Sequence, residues 1–165
     1  MATDEEIGTA LEIETIHWHH TATGDTTATF DNLNIYLAYC PNEVLSSVFE
    51  DNYTPASKTL VYHREILEME VYGGDWFSLE LDSPFWYNGQ DNLILEVTWA
   101  GGEGSIHNYH FNTPYTPCCL KAPTPDGPTG FLSSMRCQFM LEGTLMLRPA
   151  TFGSIKVIPG WGTQN

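Results

Sequence analysis

Apolar and polar positions alternate with a period of two through most of this chain, the pattern of strands with one buried face. The clearest run is 76–82, where Phe77, Leu79 and Leu81 fall on one side and Trp76, Ser78, Glu80 and Asp82 on the other. Residues 92–99 repeat it, with Leu93, Leu95, Val97 and Trp99 expected inside. Leu33, Ile35, Leu37 and Tyr39 share a face over 33–39. Cys137, Phe139 and Leu141 share another over 136–141, opposite Arg136, Gln138 and Met140. Further strands are predicted at Leu11–His19, 59–63, 66–72, 106–111, 144–147 and 154–158. No segment carries a helical stripe, although 44–49 has room for one helical turn.

Fourteen Gly and ten Pro separate the runs. Tyr72-Gly73-Gly74-Asp75 and Asn88-Gly89-Gln90-Asp91 lie between apolar stretches, as hairpin turns require. Two longer loops, 41–57 and 113–130, interrupt the series. Roughly eight to ten short strands without helices predict an all-β fold, an antiparallel two-sheet β-sandwich of jelly-roll-like form. With no repeat and no interdomain linker, one domain is expected over 1–158, followed by a flexible tail at 159–165.

Charge narrows the partners. The 165 residues hold 21 acidic against 6 basic side chains, a net charge of -15, so no basic surface exists for nucleic acid. Anionic membrane surfaces are disfavoured for the same reason, and no apolar run reaches the roughly 20 residues of a membrane span. The acidic opening, Met1-Ala2-Thr3-Asp4-Glu5-Glu6, has neither the positive region nor the apolar core of an export signal. Few Lys residues with many Tyr, Trp, Asn and Thr favour an extracellular or cell-surface protein in its mature form. The four cysteines allow three pairings. A bond between the adjacent Cys118 and Cys119 strains the peptide, so these are expected to reach Cys40 and Cys137; free buried thiols are the alternative. No Cys-x-x-Cys spacing for a zinc ribbon or redox site occurs.

The segment Pro84-Phe85-Trp86-Tyr87-Asn88-Gly89, followed by Asn92-Leu93-Ile94-Leu95-Glu96, is the most distinctive part. It resembles a module of secreted bacterial surface proteins and proteases, in which Pro-Phe-x-Tyr-Asn-Gly leads into Asn-Leu-hydrophobic-hydrophobic-Glu. Glu6-Ile7-Gly8 is similar to that module's opening, 33–39 to its Ile-Tyr-Leu strand, Thr59-Leu60-Val61-Tyr62 to the strand before the Trp76 hairpin, and Arg136 to a late arginine strand. The resemblance implies a non-catalytic, exported, jelly-roll-like sandwich and supplies no ligand residues. It further implies that the strand preceding Glu6-Ile7-Gly8 is missing, leaving a sheet edge for a neighbouring copy or for 153–158 to fill.

Candidate chemistry is sparse. His17 and His19 share a strand face and suit a metal if a third ligand joins them, whereas His20 points the other way. His107 and His110, three apart, cannot chelate together from one strand. Ordinary surface imidazoles are the more economical reading. Asp51 and Asp91, with Asn52, Asp82, Asn92 and Asp126, offer oxygen ligands for a structural calcium, yet Asp and Asn also cap turns. No nucleophile elbow, phosphate loop or His-Glu-x-x-His motif is present. Glu80 and Glu96 are expected as solvated outer-face carboxylates, and Cys137 as buried. The protein is therefore expected not to be an enzyme. Trp76, Trp86, Tyr87 and Tyr115 are the candidate ligand contacts, because aromatic faces beside polar groups suit sugar rings. Trp86 and Tyr87 equally suit a plug at the sandwich end. A glycan or cell-surface protein is the expected partner. The alternative is a structural subunit of a filament or surface assembly, joined to copies of itself by strand exchange.

Overall fold

The computed structural model describes residues 1–112, 117–122, 124 and 127–145. One turn of helix, α1 (Asp4–Ile7), precedes the strands β1 (Leu11–His19), β2 (Thr27–Cys40), β3 (Thr59–Glu70), β4 (Trp76–Tyr87) and β5 (Asn92–Thr98). Six more follow: β6 (Gly101–Gly104), β7 (His110–Asn112), β8 (Cys119–Lys121), β9 (Phe131–Ser133), β10 (Met135–Cys137) and β11 (Phe139–Leu145). The fold is the expected all-β, antiparallel two-sheet sandwich.

Strand β1 shows how the alternation becomes a sheet. Leu11, Ile13, Ile16 and Trp18 are buried, while Glu12, His17 and His19 lie on the other side. The step from Ile13 to Ile16 breaks the period of two, and the register shifts between Ile13 and Thr15 on both sides: Glu14 is the one extra residue against β11, whereas against β4 it faces the four residues 81–84. One sheet has the order β11-β1-β4; the other is β3-β2-β5, with β6 continuing along β2 beyond β5. The strand pairs β10-β7 and β8-β9 complete the pairing among the described residues.

Ile13, Ile16, Trp18, Leu81, Phe85 and Tyr87 from the first sheet meet Leu33, Ile35, Leu37, Val61 and Leu93 from the second in one buried cluster. Full burial of each such side chain stabilises by about 1.5–3 kcal/mol. A second cluster, Ala38, Cys40, Leu45 and Ile94, forms where the loop 41–57 covers the outer face of the second sheet. The loop is fastened by buried Asn52, whose Nδ2 donates to Ser46 O (3.1 Å) and Val48 O (2.8 Å) while its Oδ1 accepts from Ser46 N (2.8 Å).

Several expectations change. Residues 59–63 and 66–72 belong largely to one strand, β3, because Arg64 and Glu65 continue the extended backbone on the strand's way past β2. The run 136–141 divides at Gln138 into β10 and β11, and of 106–111 only the last two residues reach β7. Val97 and Trp99 are exposed instead of inside, since β5 is the edge strand of its sheet, although Ile35 opposite Val97 is fully buried; Trp99 meets Phe30 edge-on at 6.0 Å. No helical turn forms at 44–49; a short 3-10 turn occupies Glu50–Asn52. Residues 146–147, the 154–158 strand and the 159–165 tail lie outside the described residues.

Glu6-Ile7-Gly8, expected as the opening of the module, forms α1 and its C-cap, with Thr3 and Glu6 in a reciprocal capping box. Arg136 grips this turn bidentately through Nη2 to Glu6 Oε1 (2.6 Å) and Nη1 to Glu6 Oε2 (2.8 Å), and Nη1 also donates to Met1 O (2.7 Å). The guanidinium holds the Glu6 carboxyl down at about 2. A carboxyl with a depressed folded-state pKa stabilises the fold above its unfolded value and loses that contribution as pH falls towards its folded one. Stability is therefore expected to decline from about pH 4.5 towards pH 2 by about 1 kcal/mol from this pair, the partial exposure of Glu6 screening the rest. Urea melts across that range should show the slope in the wild type and a flatter one in Glu6→Gln.

Candidate functional site: the outer face of the first sheet

The same alternation that buries Phe77 and Leu81 turns Trp76, Ser78, Glu80 and Trp86 outward from β4. Cross-strand register sets them beside the outward residues of β1: His19 opposite Trp76, His17 opposite Ser78, Thr15 opposite Glu80 and Glu12 opposite Trp86. On the far side, β11 brings Met140 opposite His17, Glu142 opposite Thr15 and Thr144 opposite Glu12. Four of the sequence-derived candidates, Trp76, Trp86, His17 and His19, therefore share one surface.

At one end of this surface three rings lie together. The His19 imidazole lies parallel to the Trp76 indole, 4.9 Å away at 7°, and tilts against Tyr109 at 4.5 Å and 36°. Both His19 nitrogens lie at hydrogen-bond distance from an oxygen, Nδ1 from Gln138 Oε1 (3.1 Å) and Nε2 from Gly74 O (3.0 Å), and the one N–H of the neutral ring donates to either. The backbone fixes Tyr109, which donates to His19 O (2.8 Å) and accepts from Gln138 N (2.7 Å). The turn before β4 uses Gly74 with φ of +81°, a left-handed conformation that glycine adopts freely, and Asp75 O beyond it accepts from His20 N (2.9 Å). The middle ring is thus locked, while Trp76 is 43% and Tyr109 39% exposed. Such a platform presents rigid apolar surface at little entropic cost.

Tyr109 and Gln138 are the residues that sequence reasoning missed. Nothing near either points to His19; the contact arises from a tertiary crossing, with His20 and Asn108 forming an isolated antiparallel bridge.

The other candidates fall elsewhere. Trp86, 42% exposed, stands at the opposite end of the same face. Tyr87 is a correction: it is fully buried and its hydroxyl donates to Asp91 O (2.7 Å), so no ring face remains for a ligand. Tyr115 and Asp126 lie outside the described residues. His17 Nε2 pairs with Glu142 (2.7 Å) and not with a metal partner of His19. The Asp51 carboxylate accepts from the Ser46 hydroxyl (3.2 Å) and that of Asp91 from Asn88 Nδ2 (2.6 Å), so both act as turn-capping groups. Among the described residues no group of three or more His, Cys, Asp or Glu is placed to hold a metal ion. Glu80 is exposed as expected, but Glu96 is covered: Lys58 pairs with it at 2.9 Å, and the Tyr53 hydroxyl donates to it.

The expected disulfides are absent: Cys40, Cys118, Cys119 and Cys137 are not bonded to one another. Their sulfurs have different neighbours: Cys40 lies against Asn42 O, Cys118 against Ser134 O, and Cys137 against His110 Nε2 at 3.3 Å. Burial pushes the thiols of Cys40, Cys119 and Cys137 above their ordinary range, away from the thiolate that nucleophilic attack needs. Among the described residues no helix is long and apolar enough to cross a membrane. Comparison of the chain with family models, with curated proteins and with solved structures finds no match.

Proposed function

We propose that this protein is a non-catalytic extracellular binding module that meets a glycan or another cell-surface component at Trp76. The observation that carries this reading is His19 held between two half-exposed aromatic rings, Trp76 stacked on it and Tyr109 tilted against it. A sugar's C–H face stacks on such a ring, while Ser78, Glu80 and Gln138 nearby offer hydrogen-bonding groups for its hydroxyls. The thiols of Cys40, Cys119 and Cys137, pushed above their ordinary range by burial, and the turn-bound carboxylates point away from catalysis. The resemblance of 84–97 to modules of secreted bacterial surface proteins supports an exported location. Screening on a glycan array should give a hit whose binding falls at least about tenfold, roughly 1.4 kcal/mol, in Trp76→Ala with the thermal midpoint unchanged. Wild-type strength in that variant would refute the reading.

A second reading, a structural subunit joined to copies of itself by strand exchange, draws on β11. Among the described residues β11 pairs on one side only, with β1. A groove of about 660 Å³ lined by Ile7, Leu11, Phe139, Leu141 and Leu145 runs along it. Native mass spectrometry over a concentration series decides: a monomer at every concentration removes this reading.

A further inference from the structure

We infer that the outer face of the first sheet takes an extended oligosaccharide that is uncharged or carries amino groups, with Trp76 and Trp86 as two separate stacking positions. The inference rests on the glycan reading above and gives it a ligand length and charge.

Trp76 and Trp86 belong to one strand, face the same way and are almost equally exposed, at 43% and 42%. Their partners on β1, His19 and Glu12, are seven residues apart. At the rise of a strand that places the indoles about 20 Å from one another. One sugar ring cannot touch both, whereas a chain of several lies across the interval. The surface between them is polar and is floored by Ser78, Glu80, Thr15 and His17. It presents hydroxyl, imidazole and carboxylate groups to sugar hydroxyls instead of the apolar contacts that a buried peptide anchor seeks.

Charge selects among polysaccharides. Glu12, Glu80 and Glu142 occupy outward positions on this face, and His17 is already tied to Glu142. No Lys or Arg stands among these outward residues of β1, β4 and β11. Uronate or sulfated chains would meet like charge without a compensating cation, whereas neutral or amino-bearing sugars find acceptors for their hydroxyl and ammonium protons.

The test titrates the intact protein with cello-oligosaccharides, chitosan oligosaccharides and oligogalacturonates, each from the single sugar to chains longer than the Trp76–Trp86 interval. Wild type, Trp76→Ala, Trp86→Ala and Trp86→Phe are compared, with thermal melts to check folding. In the neutral or amino series, affinity should climb at least about tenfold once the chain spans both rings. Trp86→Ala should remove that increment and leave short-chain binding intact, and Trp86→Phe should restore much of it. Oligogalacturonate should bind at least about tenfold more weakly at every length. Equal affinity for oligogalacturonate, or length dependence that survives Trp86→Ala, overturns this inference while leaving the Trp76 platform standing. Binding of neither the cello nor the chitosan series also overturns it. The array comparison of wild type with Trp76→Ala then decides the broader reading on its own.

Discussion

Tyr87→Ala is expected to cost about 4 kcal/mol of folding stability, and Tyr87→Phe about 1 kcal/mol. The ring is fully buried among Phe85, Leu93 and the face of Tyr39, whose centroid is 6.5 Å away. Removing it takes away a large apolar surface and leaves a cavity that two packed sheets cannot collapse to fill. Removing only the hydroxyl keeps the packing but leaves Asp91 O without the donor it has at 2.7 Å. Burial pushes this phenol up to about 12, so it remains a donor throughout the neutral range. The cost should then be independent of pH between about 6 and 9. Urea unfolding with a common slope measures both variants; equal costs for Ala and Phe would mean that the ring is not a core element.

This residue also shows how far the sequence could be read. The alternation over 76–82 and the Pro-Phe-x-Tyr-Asn-Gly run both place Phe85 and Tyr87 on one parity, and β4 follows that parity through the irregular stretch at Asp82-Ser83-Pro84. Strand β1 matches its predicted bounds because polar residues separate its inward side chains on both sides of the bulge. What the pattern could not convey is which strand lies at a sheet's edge. Val97 and Trp99 keep the inward parity of β5, yet on this edge strand they are exposed while Ile35, opposite Val97, is fully buried. Strand β6 escaped for a different reason: Gly101, Gly102 and Gly104 have no side chains to alternate, and a Cβ at Gly102 would come 1.9 Å from Thr29 O.

The candidate site was half legible. Parity alone puts Trp76, Trp86, His17 and His19 on outward faces, but which strands stand side by side is a property of the sheet, and only the pairing of β1 with β4 joins them. Tyr109 reaches His19 from a segment 90 residues later, through backbone hydrogen bonds that any sequence could make. The cysteine expectation failed because spacing constrains which sulfurs can pair without showing what each sulfur packs against.

Gly143→Val is expected to lose at least about 3 kcal/mol, and Gly143→Ala about 2 kcal/mol or more. Gly143 sits opposite Ile13 on β11, where the bulge of β1 presses the two backbones together. A Cβ there would lie 1.8 Å from Glu12 O and 3.0 Å from Ile13 Cα. Both are backbone atoms, so the contact cannot be relieved by turning a side chain, and the ladder between β1 and β11 has to open. Gly101→Ala is the matched control: its Cβ would meet only the end of the Asp31 side chain at 3.3 Å, and the expected cost is below about 1 kcal/mol. Amide exchange should show the loss of protection centred on the pairs from Leu11–Leu145 to Thr15–Glu142. The same displacement moves Glu12, and Trp86 stands opposite it. In a variant that still folds, long-chain binding at Trp86 should therefore weaken while short-chain binding at Trp76, beyond the bulge, persists. If Gly143→Ala is as stable as the wild type, the bulge is not held by close approach of the two strands, and the spacing of the two tryptophans has no fixed register behind it.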